Sequence, residues 1–427
     1  MIPLIRSPES LEATIGIPTT VRVAGPPQQF HQPSEVMTMS DATSQPVDSL
    51  ALFSGEAQHQ NFCRMKELFP ASAMQASSTP FDFPVGTAIE LPQSYEFEGQ
   101  TRSTQAFLED TDTSSILVLR NGQVCYERYL LTGGRDVQWM SFSVAKSFTS
   151  ALIGIAVEEG LIESIEDPIT RYVPSLNGSA YEGVRIMDVL QMSSGVRWRE
   201  DYSDPSAEIH GFNAVMAGNH SFETFLAGMT REYEPGTKCV YNSADTQALG
   251  LLLVKATGRS MTDYMQEKLC EPLGMEAAGY WLLDCDGLEM AAAGVNLVAR
   301  DFAKIGELYR NQGVWKGKQL VPRSWAVAST TATAAHTKPG KVIVGDHAFK
   351  LGYGYQWWIP AGDRGEFSAI GIYNQFVYVD PSRDVVIVKL SANRAYGTSP
   401  DEATNREDEN IEFLRAVAAQ CEGDTHD

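Results

Sequence analysis

Residues 140–160 read MSFSVAKSFTSALIGIAVEEG. Phe148, Ala151, Leu152, Ile153, Ile155, Ala156 and Val157 cover nearly the whole circumference of a helix, which predicts burial on almost every side. Gly160 supplies a C-terminal stop. At the front of this run Ser143 stands three residues before Lys146, a spacing that puts hydroxyl and amine on one helical face. A hydroxyl is a poor nucleophile until a base takes its proton, and a lysine in a dry pocket loses its own proton and serves as that base. A lone Ser-x-x-Lys is a coincidence-prone pattern. Its place at the front of a buried helix, where the positive end of the dipole favours an oxyanion, gives it weight.

On the N-terminal side, Ser115–Arg120 (SILVLR) and Gln123–Leu130 (QVCYERYL) flank Asn121–Gly122, the strongest short-range hairpin pattern. Phe62–Phe69 and Thr104–Glu109 are short helix candidates. Residues 1–57, rich in Pro, Ser, Thr and Gln (GPPQQFHQP), read as an extended or partly disordered extension. On the C-terminal side, residues 161–300 are mainly helical (Met187–Met192, Phe222–Met229, Ala244–Thr257, Met261–Leu269). Further helices are expected at Asp301–Gln312 and Pro322–Ala328. Strands return at Tyr353–Ile359, Gln375–Val379 and Val385–Ser391, and Glu407–Ala419 closes the chain as an amphipathic helix. Strands at both ends of a helical middle predict an α+β fold, one antiparallel sheet flanked by helices. The sheet domain would comprise residues 58–160 and 301–427, with 161–300 as an inserted, mainly helical domain.

The chain has 427 residues, 43% of them hydrophobic, and a formal net charge of −21. That charge argues against nucleic acid or an anionic membrane as partner, since both need a basic face. No uninterrupted apolar run reaches membrane-spanning length. MIPLIRSPESLEATIGIP lacks the pattern of a secretory signal, and the six cysteines are scattered singly, so reduced thiols in a cytoplasmic protein are expected. The seven histidines form no HExxH or Cys/His cluster. Neither a metal nor a cofactor is expected.

Behind the buried helix come LIESIEDPITRYVP, MDVLQMSSGV, PGTKCVYNSADTQALG and GVNLVARDFAKIG, in that order. From about Phe62 to Val417 the chain resembles the serine β-lactamase-like, penicillin-recognising superfamily. Within it, the chain is most similar to the branch of class C β-lactamases, family VIII esterases and 6-aminohexanoate-dimer hydrolases. The resemblance implies acylation of a serine followed by hydrolysis. It makes Ser143 the nucleophile, Lys146 the adjacent base, and Tyr241 of Tyr-Asn-Ser the tyrosine of the family's Tyr-x-Asn motif. A phenol becomes a useful base only beside a cation, which Lys146 could supply.

Two departures from the family pattern bear on specificity. Ser243 stands where the family has asparagine, and Ala369–Ile370–Gly371 replaces a cation-bearing Lys-Thr-Gly or His-x-Gly element. That cation helps recognise the carboxylate of β-lactams, so an amidase or esterase is expected in preference to a β-lactamase. SAIGIYNQ resembles instead the GI-x-x-Q stretch of 6-aminohexanoate-dimer hydrolases, which implies an oxyanion hole formed by the backbone N–H groups of Ser143 and Ile372. WREDYSD resembles the same subgroup. It makes Tyr202 a substrate-side hydrogen-bond donor and leaves Asp201, Asp204 or Glu208 to face an ammonium group, or simply to form a solvated acidic loop. Neighbouring strand residues point to opposite faces, so one of Trp357 and Trp358 lines the acyl pocket; Trp358 is assigned to it.

The expected partner is a small-molecule amide or ester, and a homodimer is left open. A β-lactamase or D-amino-acid peptidase of the same fold, and a binding protein that keeps the fold without catalysis, are the alternatives. A Ser-His-Asp hydrolase is disfavoured, because the chain has no Gly-x-Ser-x-Gly elbow.

Overall fold

Asn121 and Gly122 both take left-handed backbone, φ 51° and 69°, as a two-residue hairpin turn requires. They join β1 (Thr113–Arg120) to β2 (Gln123–Tyr129). This computed structural model describes Phe53 and residues 58–218, 220–399 and 401–422. Apart from Phe53, the extension read over residues 1–57 lies outside the described residues.

After β2 the chain enters three long helices, α1 (Ala145–Glu158), α2 (Ser243–Thr257) and α3 (Ala299–Arg310). It returns to the sheet as β3 (Gly352–Tyr353), β4 (Trp358–Ile359), β5 (Phe367–Gly371), β6 (Gln375–Asp380) and β7 (Val385–Ser391). The spatial order is β3-β4-β5-β6-β7-β1-β2, antiparallel throughout. The last strand in sequence thus pairs with the first, Val386 opposite Leu119 and Val388 opposite Leu117.

Alternation along β7 divides the interior. Val386, Val388 and Leu390 join the core containing α1 and α3, whereas Val385 and Ile387 join the core closed by α4 (Glu407–Ala419) through Phe413, Leu414 and Val417. With both faces covered, the strands read as continuous apolar runs. α1 is buried on nearly every side, and a Cβ on Gly154 would sit 2.5 Å from the Trp325 ring. A smaller sheet joins Ala71–Met74, Gly279–Leu282, Val295–Leu297 and Trp139–Met140.

Three elements differ from expectation. The helix expected over 140–160 begins only at Ala145: Trp139 and Met140 pair with Leu297 and Asn296 as strand, and Phe142–Val144 forms a 3₁₀ turn. The helix expected over Phe62–Phe69 is instead two short ones, Gln58–Phe62 and Met65–Leu68. The strand expected over Tyr353–Ile359 folds back on itself, Tyr353 pairing with Trp358, because Gln356 takes φ 65°. Aromatic composition alone does not distinguish one strand from a tight hairpin.

Candidate active site

The strand–turn–helix at 139–158 presents Ser143 at the base of a cleft. Phe142, just before it, holds φ 45°, a conformation that costs a non-glycine residue about 1–3 kcal/mol and persists only where packing imposes it. Here packing does so: the Phe142 ring lies 4.8 Å from that of Phe62 and 5.0 Å from that of Tyr373.

One turn on, Lys146 is 1% exposed. Its Nζ lies 2.8 Å from Ser143 Oγ, 3.0 Å from Ser243 Oγ and 3.0 Å from the Ala292 carbonyl. All three partners are uncharged. Burial therefore lowers the Lys146 pKa from 10.5 to about 8, against the opposing pull of the Glu200 charge.

Tyr241 enters from the loop before α2, whose first turn is capped by Asn242 accepting from the backbone N–H of Ala244 and Asp245. Its phenol faces the Ser143 side chain closely enough to feel it, and Lys146 Nζ lies 5.1 Å from its ring centroid. Burial first, then the Glu200 charge, pushes the phenol well above its usual 10, and the nearby Ser143 side chain pulls the other way. The two groups beside Ser143 are thus tuned apart: the amine gives up its proton far more readily than the phenol. Trp358 packs on Tyr241 with ring centroids 4.9 Å apart. Trp357 turns into the core against Tyr309 and Phe367.

β5 brings its C-terminal end against Ser143. A Cβ on Gly371 would lie 2.7 Å from the Ser141 carbonyl and 3.0 Å from the Ser143 nitrogen, so only glycine allows this approach. Ile372 follows, and both Ser143 and Ile372 line the cleft. Tyr373 and Asn374 turn the chain back with φ 63° and 67°. Gln375 pins this turn: its Nε2 donates to the carbonyls of Ile372, Tyr373 and Ser391, and its Oε1 accepts from Trp139 Nε1 and the Ser391 N–H. One side chain thus ties the Ile372 turn to the strand that leads to Ser143.

The acidic loop divides. Glu200, not singled out from the sequence, is 7% exposed and accepts from Ser243 Oγ at 2.9 Å, Tyr202 Oη at 3.0 Å and Trp198 Nε1 at 2.7 Å. Ser243 therefore bridges the Lys146 amine and the Glu200 carboxylate. Asp201 lines the cleft, as does Tyr202. Asp204 is not among the lining residues; its carboxylate takes Arg199 at 2.7 Å and the Ser206 backbone. Glu208 pairs with Arg197 and Arg199. The burial of Trp198 and Glu200 between the exposed Arg197 and the half-buried Arg199 and Asp201 follows the period of two of an extended segment. That periodicity was the available clue to Glu200.

All six cysteines are free thiols. Among the described residues no group of three His, Cys, Asp or Glu is placed to hold a metal ion, and no described helix is long and apolar enough to cross a membrane.

An antiparallel sheet between helices, with a serine–lysine–tyrosine cluster where a helix meets a strand end, defines a serine-hydrolase architecture. The sequence profile of the family described as Beta-lactamase matches residues 102–412, and the chain belongs to that family. The 6-aminohexanoate-dimer hydrolase of Paenarthrobacter ureafaciens is 31% identical over 349 residues, covering 79% of this chain and 86% of that protein. Among solved structures, a candidate 6-aminohexanoate-dimer hydrolase from Bacillus anthracis superposes with a TM-score of 0.75 at 25% identity, over 86% of this chain and 95% of that one. A family VIII carboxylesterase superposes with a TM-score of 0.55 at 14% identity, over 74% and 95% of the two chains, and shares the fold.

Proposed function

We propose that the protein hydrolyses an amide or ester bond of a small molecule through an acyl-enzyme on Ser143. The observation that carries this reading is the contact between Ser143 Oγ and a buried, uncharged-partnered Lys146 Nζ at 2.8 Å, an amine poised near neutrality. As neutral base, Lys146 takes the Ser143 proton while Oγ bonds to the carbonyl carbon. The oxyanion accepts hydrogen bonds from the backbone N–H groups of Ser143 and Ile372. Collapse breaks the bond to the leaving nitrogen or oxygen, which takes its proton from Tyr241, and the phenol is reprotonated from Lys146. Water then attacks the ester, releasing the carboxylic acid and restoring Ser143. Glu200 acts through Ser243 as a positioning residue, holding the lysine in register.

Ala369, in place of a cation, argues for amides and esters without a carboxylate to be recognised there. The same reading carries a cytoplasmic setting for the six thiols. A fluorophosphonate probe with mass-spectrometric mapping tests it. Labelling at Ser143 is expected; no labelling, or labelling elsewhere, sinks it.

A further inference from the structure

Ser143 stands at the junction of two cavities of opposite character. The smaller, about 130 Å³, is lined by Tyr241 and Trp358, by the carboxylates of Glu200, Asp201 and Asp346, by His347, and by Glu407, whose carboxyl burial pushes up to about 8. No lysine or arginine lines it among the described residues. The larger, about 520 Å³, is walled by Phe69, Phe142, Ile209, Phe212, Met216 and Met290. Among the described residues Arg394 is the one lysine or arginine that lines it, held by Asp112 through two hydrogen bonds of 2.8 and 2.6 Å. Ser143, Ile372 and Tyr202 border both spaces.

Direction follows from the proton path. Tyr241, which delivers the proton to the departing atom, lines only the smaller space. The leaving group therefore lies among the carboxylates and the acyl group in the apolar cavity. A space of this size exceeds what an acetyl group fills, and it falls within the range of sites that hold whole small ligands. Resting on the acyl-enzyme reading, we propose that the substrate is bipartite: a medium-length apolar acyl chain joined to a small amine that carries a second, positively charged nitrogen.

The test uses Ser143→Ala protein, so that binding is read without turnover. N-octanoyl-putrescine is expected to bind at least about tenfold more tightly than N-acetyl-putrescine, since each methylene buried contributes roughly fourfold. It should also bind at least about tenfold more tightly than N-octanoyl-β-alanine, whose distal group is an anion. Met216→Trp, at the half-buried end of the Glu208–Val215 helix, narrows the apolar cavity and should cut the octanoyl-to-acetyl ratio below about threefold. Asn213→Phe provides a second filling variant should the first fail to fold. Equal binding of the octanoyl and acetyl compounds, no preference for the cation, or a ratio unchanged in both filled variants would overturn the proposal. Wild-type protein that shows these preferences but forms no adduct at Ser143 would refute the hydrolase reading and leave only the apolar and cationic binding preferences of the two cavities standing. Rapid labelling at Ser143 without the preferences would do the reverse.

Discussion

Two buried lysines sit on opposite sides of the large sheet and differ in one respect. Lys146 touches two hydroxyls and a carbonyl. Lys389 on β7, 0% exposed, touches two hydroxyls, Thr111 Oγ1 at 3.2 Å and Ser391 Oγ at 2.7 Å, and lies 5.1 Å from the centroid of the Phe107 ring. Burial drives both amines below their ordinary pKa, and the nearby Arg406 charge pushes Lys389 further. Yet Lys389 points into the core closed by α4, and neither it nor its hydroxyl partners line a cavity beside Ser143. A depressed lysine pKa is thus a consequence of burial that two unrelated sites share. It becomes chemistry only where the hydroxyl it touches is open to substrate.

Methionine substitution at each lysine probes this contrast most strongly. Lys146→Met should lower kcat/KM for a p-nitrophenyl ester by about 10³-fold or more. Lys389→Met should leave it within about threefold and keep or raise Tm, because an amine without a counter-charge gives way to an apolar chain of similar shape. A dead but well-folded Lys389→Met protein would break the comparison.

Next in size is Tyr241→Phe, which should lose about 10²-fold in kcat/KM while Tm moves by a few degrees at most. Unchanged activity would remove the phenol from proton transfer. Gln375→Leu strips five hydrogen bonds from the turn that carries Ile372. It should destabilise by about 3 kcal/mol and lower kcat more than it raises KM, a split that separates a displaced oxyanion donor from lost substrate binding.

The smallest effect is in pH. Lys146 must be neutral to act, so kcat/KM should climb with pH and level off above about 8. Glu200 raises the Lys146 pKa, so Glu200→Gln should move that limb to lower pH; an upward shift would contradict the electrostatics of the site. The same group sets a stability slope. The unfolded chain holds the lysine proton up to 10.5 and the folded chain releases it near 8. Between these values the unfolded state binds more protons, so stability rises with pH across that window. Lys146→Met should abolish the rise, as read by denaturant titrations at pH 8 and 10.

Much of the site was legible in the chain itself. The pairing of Ser143 with Lys146 follows from their spacing, Tyr241 joins them by resemblance to a family motif, and the Asn121–Gly122 hairpin follows from backbone sterics. GIYNQ marks the strand that meets Ser143, although the work of Gln375 in pinning its turn rests on partners at Trp139 and Ser391 that only folding brings near. The acidic loop is less legible. Asp204 and Glu208 look no different from Glu200 in composition, and their separation into ion-paired and buried carboxylates depends on which arginines fold beside them.

Periodicity and hairpin sterics therefore determined the fold class, and the Ser143–Lys146 spacing marked a candidate nucleophile and base, because those are properties of neighbours along the chain; Tyr241 was added by its resemblance to a family motif. Tertiary structure alone decided that the hydroxyl beside Lys146, and not those beside Lys389, opens onto a cavity, that Glu200 reaches Lys146 through Ser243, and that Ser143 borders one acidic and one apolar space. Desolvation and cavity shape come from residues far apart in sequence. No local pattern encodes them.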